Sequence, residues 1–119
     1  MKCLMLINHA ESYRSQTIPQ GLIDAVTKFI EDGMKRGVVK DTAGLKTSAE
    51  GFKVHMRGRK LKATDGPFTE AKELVGGYIL FEVKSKEEAR EFTRQFAELH
   101  RIHWPEFEGE CEVRPVEDM

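Results

Sequence analysis

The clearest pattern in the chain is a strict alternation of apolar and polar positions across residues 52–64. Phe52, Val54 and Met56 alternate with Lys53, His55 and Arg57; beyond Gly58-Arg59, Leu61 and Ala63 alternate with Lys60, Lys62 and Thr64. A period of two around a two-residue Gly-X turn predicts a β-hairpin with one buried apolar face. Residues 2–7 (Lys-Cys-Leu-Met-Leu-Ile) and 77–83 (Gly-Tyr-Ile-Leu-Phe-Glu-Val) are nearly continuous apolar runs, which predict central strands of a sheet. Shorter strands are expected to begin at Val38-Val39 and to run from Cys111 to Val116. Residues 8–16 are polar and irregular.

Two stretches switch to helical spacing. Leu22, Val26, Phe29 and Ile30 recur on one face behind Pro19, which suits a first helical turn. Lys35 and Arg36 complement the helix dipole at the far end, and Gly37 fits a left-handed cap. Ser85 and Glu88 form an S-x-x-E capping box before the stripe Ala89, Phe92, Phe96 and Leu99, and Pro105 sets the latest end of that helix.

The order is strand, helix, strand, hairpin, strand, helix, strand. With the hairpin treated as an insertion it is βαββαβ, an α+β, ferredoxin-like arrangement in one domain spanning residues 1–119. Two amphipathic helices would cover one face of a four-stranded antiparallel sheet. The other face also needs a cover, and a second copy of the same sheet supplies it, so a homodimer is expected.

Composition narrows the function. A chain of 119 residues with 39% hydrophobic and 33% charged positions can build one core without staples. Its formal net charge of −1 favours neither nucleic acid nor an anionic membrane. No apolar run approaches the ~20 residues that cross a bilayer, and the apolar start is too short for a secretion signal. A cytoplasmic protein is expected. Cys3 and Cys111 fall on strands that, if antiparallel neighbours, stand about four residues out of register, roughly 13 Å apart. Both are read as free thiols.

The segment Thr64-Asp65-Gly66-Pro67-Phe68-Thr69-Glu70-Ala71-Lys72-Glu73-Leu74-Val75-Gly76-Gly77-Tyr78 resembles the signature of DGPF-domain proteins in the YCII-related family. The preceding hairpin, the opening Met1-Lys2-Cys3-Leu4-Met5-Leu6-Ile7 and the closing Glu112-Val113-Arg114-Pro115-Val116 are similar to that family too. The resemblance implies a dimeric α/β barrel and a cleft lined partly by the DGPF turn. It also implies a genomic setting beside extracytoplasmic-function sigma factors. Some YCII-like relatives, similar to muconolactone isomerases and dehalogenases, use a His–Asp pair with the histidine in the first helix. Residues 19–36 here contain no histidine, so that pair is not carried over.

Asp65 leads the candidates for chemistry. A turn carboxylate beside a cleft can act as a general base or bind a ligand; equally, it can accept N–H groups of its own turn. His9 follows the first strand, where a sheet end can open into a cleft, and imidazole carries protons near neutral pH; the alternative is a surface-loop histidine. Gly66, Pro67, Phe68, Tyr78 and Arg114 are candidate ligand contacts alongside Asp65, with Arg114 suited to an anionic ligand or to a carboxylate across the dimer. Gly76-Gly77 suits close approach by a ligand or a bulge at the strand entry. His100 and His103 have a spacing that can share a metal, but no Cys or Asp pattern completes a site, and no metal or cofactor is expected. Trp104 is read as packing the helix end. The hairpin's basic face (Lys53, His55, Arg57, Lys60, Lys62) lacks the aromatics that stack on bases, and is read as solvated rather than nucleic-acid binding.

Three functions fit this sequence. The first is a small-molecule-binding dimer with a regulatory role. The second is a cofactor-free isomerase or lyase using Asp65 to move a proton while Arg114 or His9 steadies the substrate. The third is a structural interaction module.

Overall fold

The computed structural model describes residues 1–69 and 71–118, apart from the side chains of Arg14 and Ser15. Its elements run β1 (Lys2–His9), α1 (Gln20–Lys35), β2 (Val39–Gly44), β3 (Phe52–Arg57), β4 (Lys60–Asp65), β5 (Leu74–Glu82), α2 (Lys86–His103) and β6 (Gly109–Pro115). Short 3-10 turns occupy Glu11–Ser15 and Ser48–Glu50. The first of these lies in the stretch read as irregular.

The main sheet has the order β2-β5-β1-β6, with antiparallel pairing at every ladder. Together with the two helices this is an α+β architecture consistent with a ferredoxin-like fold. Alternation along the strands splits each one between two faces. Cys3, Met5, Ile79, Phe81 and Val39 point toward the helices and form the core with Ala89, Phe92 and Phe96 of α2. Phe81 stacks on Phe92 at 4.5 Å, and Phe29 of α1 closes on Phe92 at 4.9 Å. Burying such rings contributes about 1.5–3 kcal/mol each. The opposite sheet face carries Leu4, Leu6 and Leu80 at its centre, half-buried, with Arg114 cross-strand from Leu4 and Glu112 from Leu6.

Capping follows the sequence signals with small shifts. Ser85 Oγ accepts the Glu88 N–H at 3.2 Å, while the Glu88 carboxylate reaches back to the Lys84 N–H at 2.9 Å. Pro19 stands at the cap of α1 rather than inside its first turn. Gly37 takes the left-handed conformation (φ 72°), as a cap there requires. In register, Cys3 pairs with Pro115 and Ile7 with Cys111, which sets the two cysteines four positions apart; both thiols are free.

The hairpin forms as predicted, with Gly58 (φ 54°) and Arg59 (φ 64°) both left-handed in its turn. Its apolar face, however, is not buried within the chain. Phe52, Val54, Met56 and Leu61 are 68%, 49%, 78% and 74% exposed. The reason is geometric: β3 and β4 make a separate two-stranded sheet that stands off the four-stranded one. The radius of gyration, 16.1 Å, accordingly exceeds the ~13.5 Å of a compact chain of this length.

Candidate functional site

A cleft of about 340 Å³ opens between the sheet and the helices. Its floor is the end of the sheet where β1, β5 and β2 meet (Ile7, His9, Gly76, Gly77, Ile79 and residues 42–44). One wall is the apolar stripe of α1, including Leu22, Val26 and Ile30; the other is the last turns of α2 with Phe96, His100, Trp104 and, beyond the helix, Phe107.

His9 is the last residue of β1 and is 9% exposed, not a surface-loop residue. It continues the inward-facing series Cys3, Met5, Ile7, so the strand simply runs two residues further than its apolar run. A polar ring is tolerated there because Nδ1 donates to the adjacent Ala10 carbonyl at 2.9 Å. A carbonyl can only accept, so Nδ1 carries the hydrogen and Nε2 is the bare nitrogen of the neutral ring. Gly76 makes room for that ring: a β-carbon on it would stand 2.0 Å from His9 Nε2. The pairing of β1 with β5 slips at this point, from Ile7–Gly77 to Asn8–Val75. Gly76 therefore serves both as a bulge and as a gap for a side chain.

His100 repeats the arrangement from α2. Its Nδ1 lies 3.2 Å from the Phe96 carbonyl one turn back, which again leaves Nε2 as the free acceptor. Burial lowers its pKa, with a smaller contribution from His9, against an opposing pull from the Phe96 hydrogen bond. Both imidazoles pack on Phe107, at 5.7 and 5.2 Å between ring centres. Tyr13 and Trp104 complete the aromatic cluster, each about 5 Å from Phe107. Trp104 thus packs the helix end, as expected, and lines the cleft as well. His103 leaves this cluster and lies over Gly21. No group of three or more metal-ligating side chains occurs among the described residues.

The DGPF segment is built around Ser48. The Ser48 Oγ accepts the Phe68 N–H at 2.9 Å, and the Glu11 carboxylate accepts both the N–H and the hydroxyl of Ser48. Gly66 donates to the Gly51 carbonyl at 2.9 Å and passes so close to Ser48 that a β-carbon there would stand 1.6 Å from the Ser48 carbonyl oxygen. The Gly66-Pro67 peptide is cis. The Phe68 ring takes the Lys53 ammonium at 4.2 Å and lines a second groove beside Ser48, Phe52 and Leu74. Asp65 ends β4, cross-strand from Phe52, with its carboxylate exposed and bonded to no described residue.

The candidates named from sequence therefore do not gather at one point in the single chain. His9 lines the cleft; Gly66, Pro67 and Phe68 form the turn pinned to Ser48; and Asp65 stands at the hairpin base. Tyr78 and Arg114 lie on the open sheet face. Tyr78 donates to Asp41 Oδ2 at 2.8 Å, which raises its pKa, and Arg114 faces Glu112 at 4.0 Å. His100 and Phe107 were not singled out for the cleft. The signal for His100 was available, since it stands four residues after Phe96 and so continues the apolar stripe.

The model of the YCII-related domain matches residues 1–119, and the chain belongs to that family. No curated protein matches the sequence significantly. No helix among the described residues is long and apolar enough to cross a membrane.

Proposed function

We propose that this YCII-related protein is a cytoplasmic, small-molecule-binding dimer, with its ligand in the cleft between the sheet and the two helices. The observation that carries the reading is the cleft itself. It is of ligand size, walled by aliphatic and aromatic side chains, and it carries a few convergent polar groups, the usual composition of a small-molecule site. The regulatory part of the reading, a link to sigma-factor systems, is supported by the DGPF-type segment at residues 64–78.

The dimer is supported by two uncovered apolar surfaces, the hairpin face and the centre of the open sheet face. Surfaces of this kind mark contacts with another macromolecule. Light scattering is expected to give twice the 13.6 kDa chain mass, and Met56→Lys with Leu61→Lys is expected to lower it toward one chain. A monomeric wild-type protein would refute the dimer.

Ligand binding is tested by a thermal-shift screen against metabolites. A ligand at 100 times its dissociation constant adds about 2.7 kcal/mol, a readily measured shift. Gly44→Phe, which places a ring on the inward face of β2 where a β-carbon meets nothing within 4 Å, should abolish the shift. A hit that survives Gly44→Phe would move the site elsewhere.

A cofactor-free isomerase or lyase is the second reading, and the His9 imidazole lining the cleft is what favours it. Turnover lost in both His9→Phe and Asp65→Asn would support it.

A further inference from the structure

The hydrogen-bonding capacity left in the cleft is lopsided. Thr27 gives its hydroxyl hydrogen to the Ile23 carbonyl and Thr42 gives its own to the Tyr78 carbonyl, both at 2.8 Å. The Tyr13 hydroxyl faces the Glu106 carbonyl and accepts the Glu108 N–H. His9 and His100 have each committed Nδ1–H to a backbone carbonyl. Among the described lining side chains, only the Trp104 indole N–H remains as an uncommitted donor. The two Nε2 atoms remain as acceptors on side chains that line the cleft, and neither is a fully buried atom without a partner.

We propose that the cleft selects an uncharged, flat aromatic molecule that carries a hydrogen-bond donor such as a ring hydroxyl, and that this group donates to Nε2 of His9 or His100. This deepens the small-molecule reading and rests on it. The ring is selected by the surrounding aromatic edges and faces of Tyr13, Phe96, Trp104 and Phe107. The donor is selected because a ligand without one leaves two desolvated acceptors unpaired, which costs more than the net value of the bond. A carboxylate is selected against at His100, whose neutral imidazole offers it no proton, and the walls offer no described cation. Burial keeps His100 in that neutral form near neutral pH.

The test is calorimetric titration of the wild-type protein at pH 7.5 with three probes of one shape: naphthol, its methyl ether and naphthoate. Naphthol should bind at least about tenfold more tightly than either of the others, the equivalent of one hydrogen bond to a buried acceptor. In His9→Phe or His100→Phe, or in both, naphthol should fall to the level of the ether while the ether itself changes little. Because the three probes are compared on the wild-type protein, the result does not depend on a variant folding. If the ether binds as tightly as naphthol, the cleft stands as a small-molecule site and the donor rule is overturned. Preferential binding of naphthoate, or a naphthol preference that survives both substitutions, overturns it too. If none of the probes binds, the proposal falls, and a silent metabolite screen would take the small-molecule reading down with it.

Discussion

The imidazole of His9 occupies the space where Gly76 lacks a side chain, with Nε2 2.0 Å from the position a β-carbon would take. The two residues sit on adjacent strands at the point where the ladder slips. Any side chain at position 76 must therefore displace the ring, and displacing the ring breaks the His9–Ala10 hydrogen bond. Gly76→Ala is expected to cost about 1–3 kcal/mol by overpacking. In a His9→Ala background the same change should cost much less, because the obstacle is gone. A double-mutant cycle in urea measures that coupling directly. Additive costs would mean that the contact has no energetic consequence.

The DGPF turn yields a contrast between neighbours. Gly66 meets a backbone carbonyl, which cannot rotate away as a side chain can. Gly66→Ala should destabilise by several kcal/mol or prevent folding, and Ser48→Ala, which leaves the Phe68 N–H without its acceptor, by about 1–3 kcal/mol. Asp65→Asn should stay within about 0.5 kcal/mol of wild type, since the carboxylate is exposed and bonded to no described residue. Thermal melts of the three variants decide the matter. A large loss in Asp65→Asn would show that the carboxylate has a structural partner, and a second chain would be the place to look for it.

Much of the fold was legible because its signals are local. Alternation at 52–64 marks the hairpin, the apolar runs mark β1 and β5, and the Ser85 capping box marks α2. What could not be read from them was where the hairpin goes. Its alternation is that of a strand with a buried face, yet the face is bare, because alternation reports which face is apolar and not what lies against it. The cleft was only half legible. His9 stands out for its chemistry, but its apolar run leaves the sheet end and a surface loop both open, since a polar residue after such a run looks like the end of a strand. Parity was the better guide: 3, 5, 7 and 9 all point inward. His100 continues the α2 stripe in the same way. Asp65 drew attention through its motif, whereas Gly66 and Ser48 hold that turn through backbone contacts that a sequence does not display.

The thiols should be inert in the folded protein. Cys3 is fully buried and burial raises its pKa, while burial and then the nearby Glu110 push Cys111 up to about 11. Since the thiolate is the reactive form, neither should react appreciably at neutral pH. A chromogenic disulfide reagent is expected to release less than one equivalent of thiol from native protein and two after denaturation. Fast reaction of native Cys111 would show that the edge next to β6 opens readily.

Stability should decline on mild acidification, and His100 should account for a measurable part of the decline. Its folded pKa is held below the ordinary imidazole value of 6.5, first by burial, and the unfolded chain recovers that ordinary value. As pH falls past about 6.5, the unfolded state takes up the proton before the folded state does, and the balance shifts toward unfolding. The contribution is thus fully present above that value and is lost as pH drops from it toward the lowered folded value. Glu91 and Glu98 titrate in a different window. Their arginine partners lower both carboxyls, Glu91 to about 2, so their loss begins only below the ordinary carboxylate value of 4.5. Melting temperatures at constant ionic strength should therefore be level above about pH 7 and fall as pH drops below about 6.5. His100→Phe, which keeps a ring against Phe107 but cannot take up a proton, should flatten that fall. An identical acid limb in wild type and His100→Phe would assign the transition to other groups.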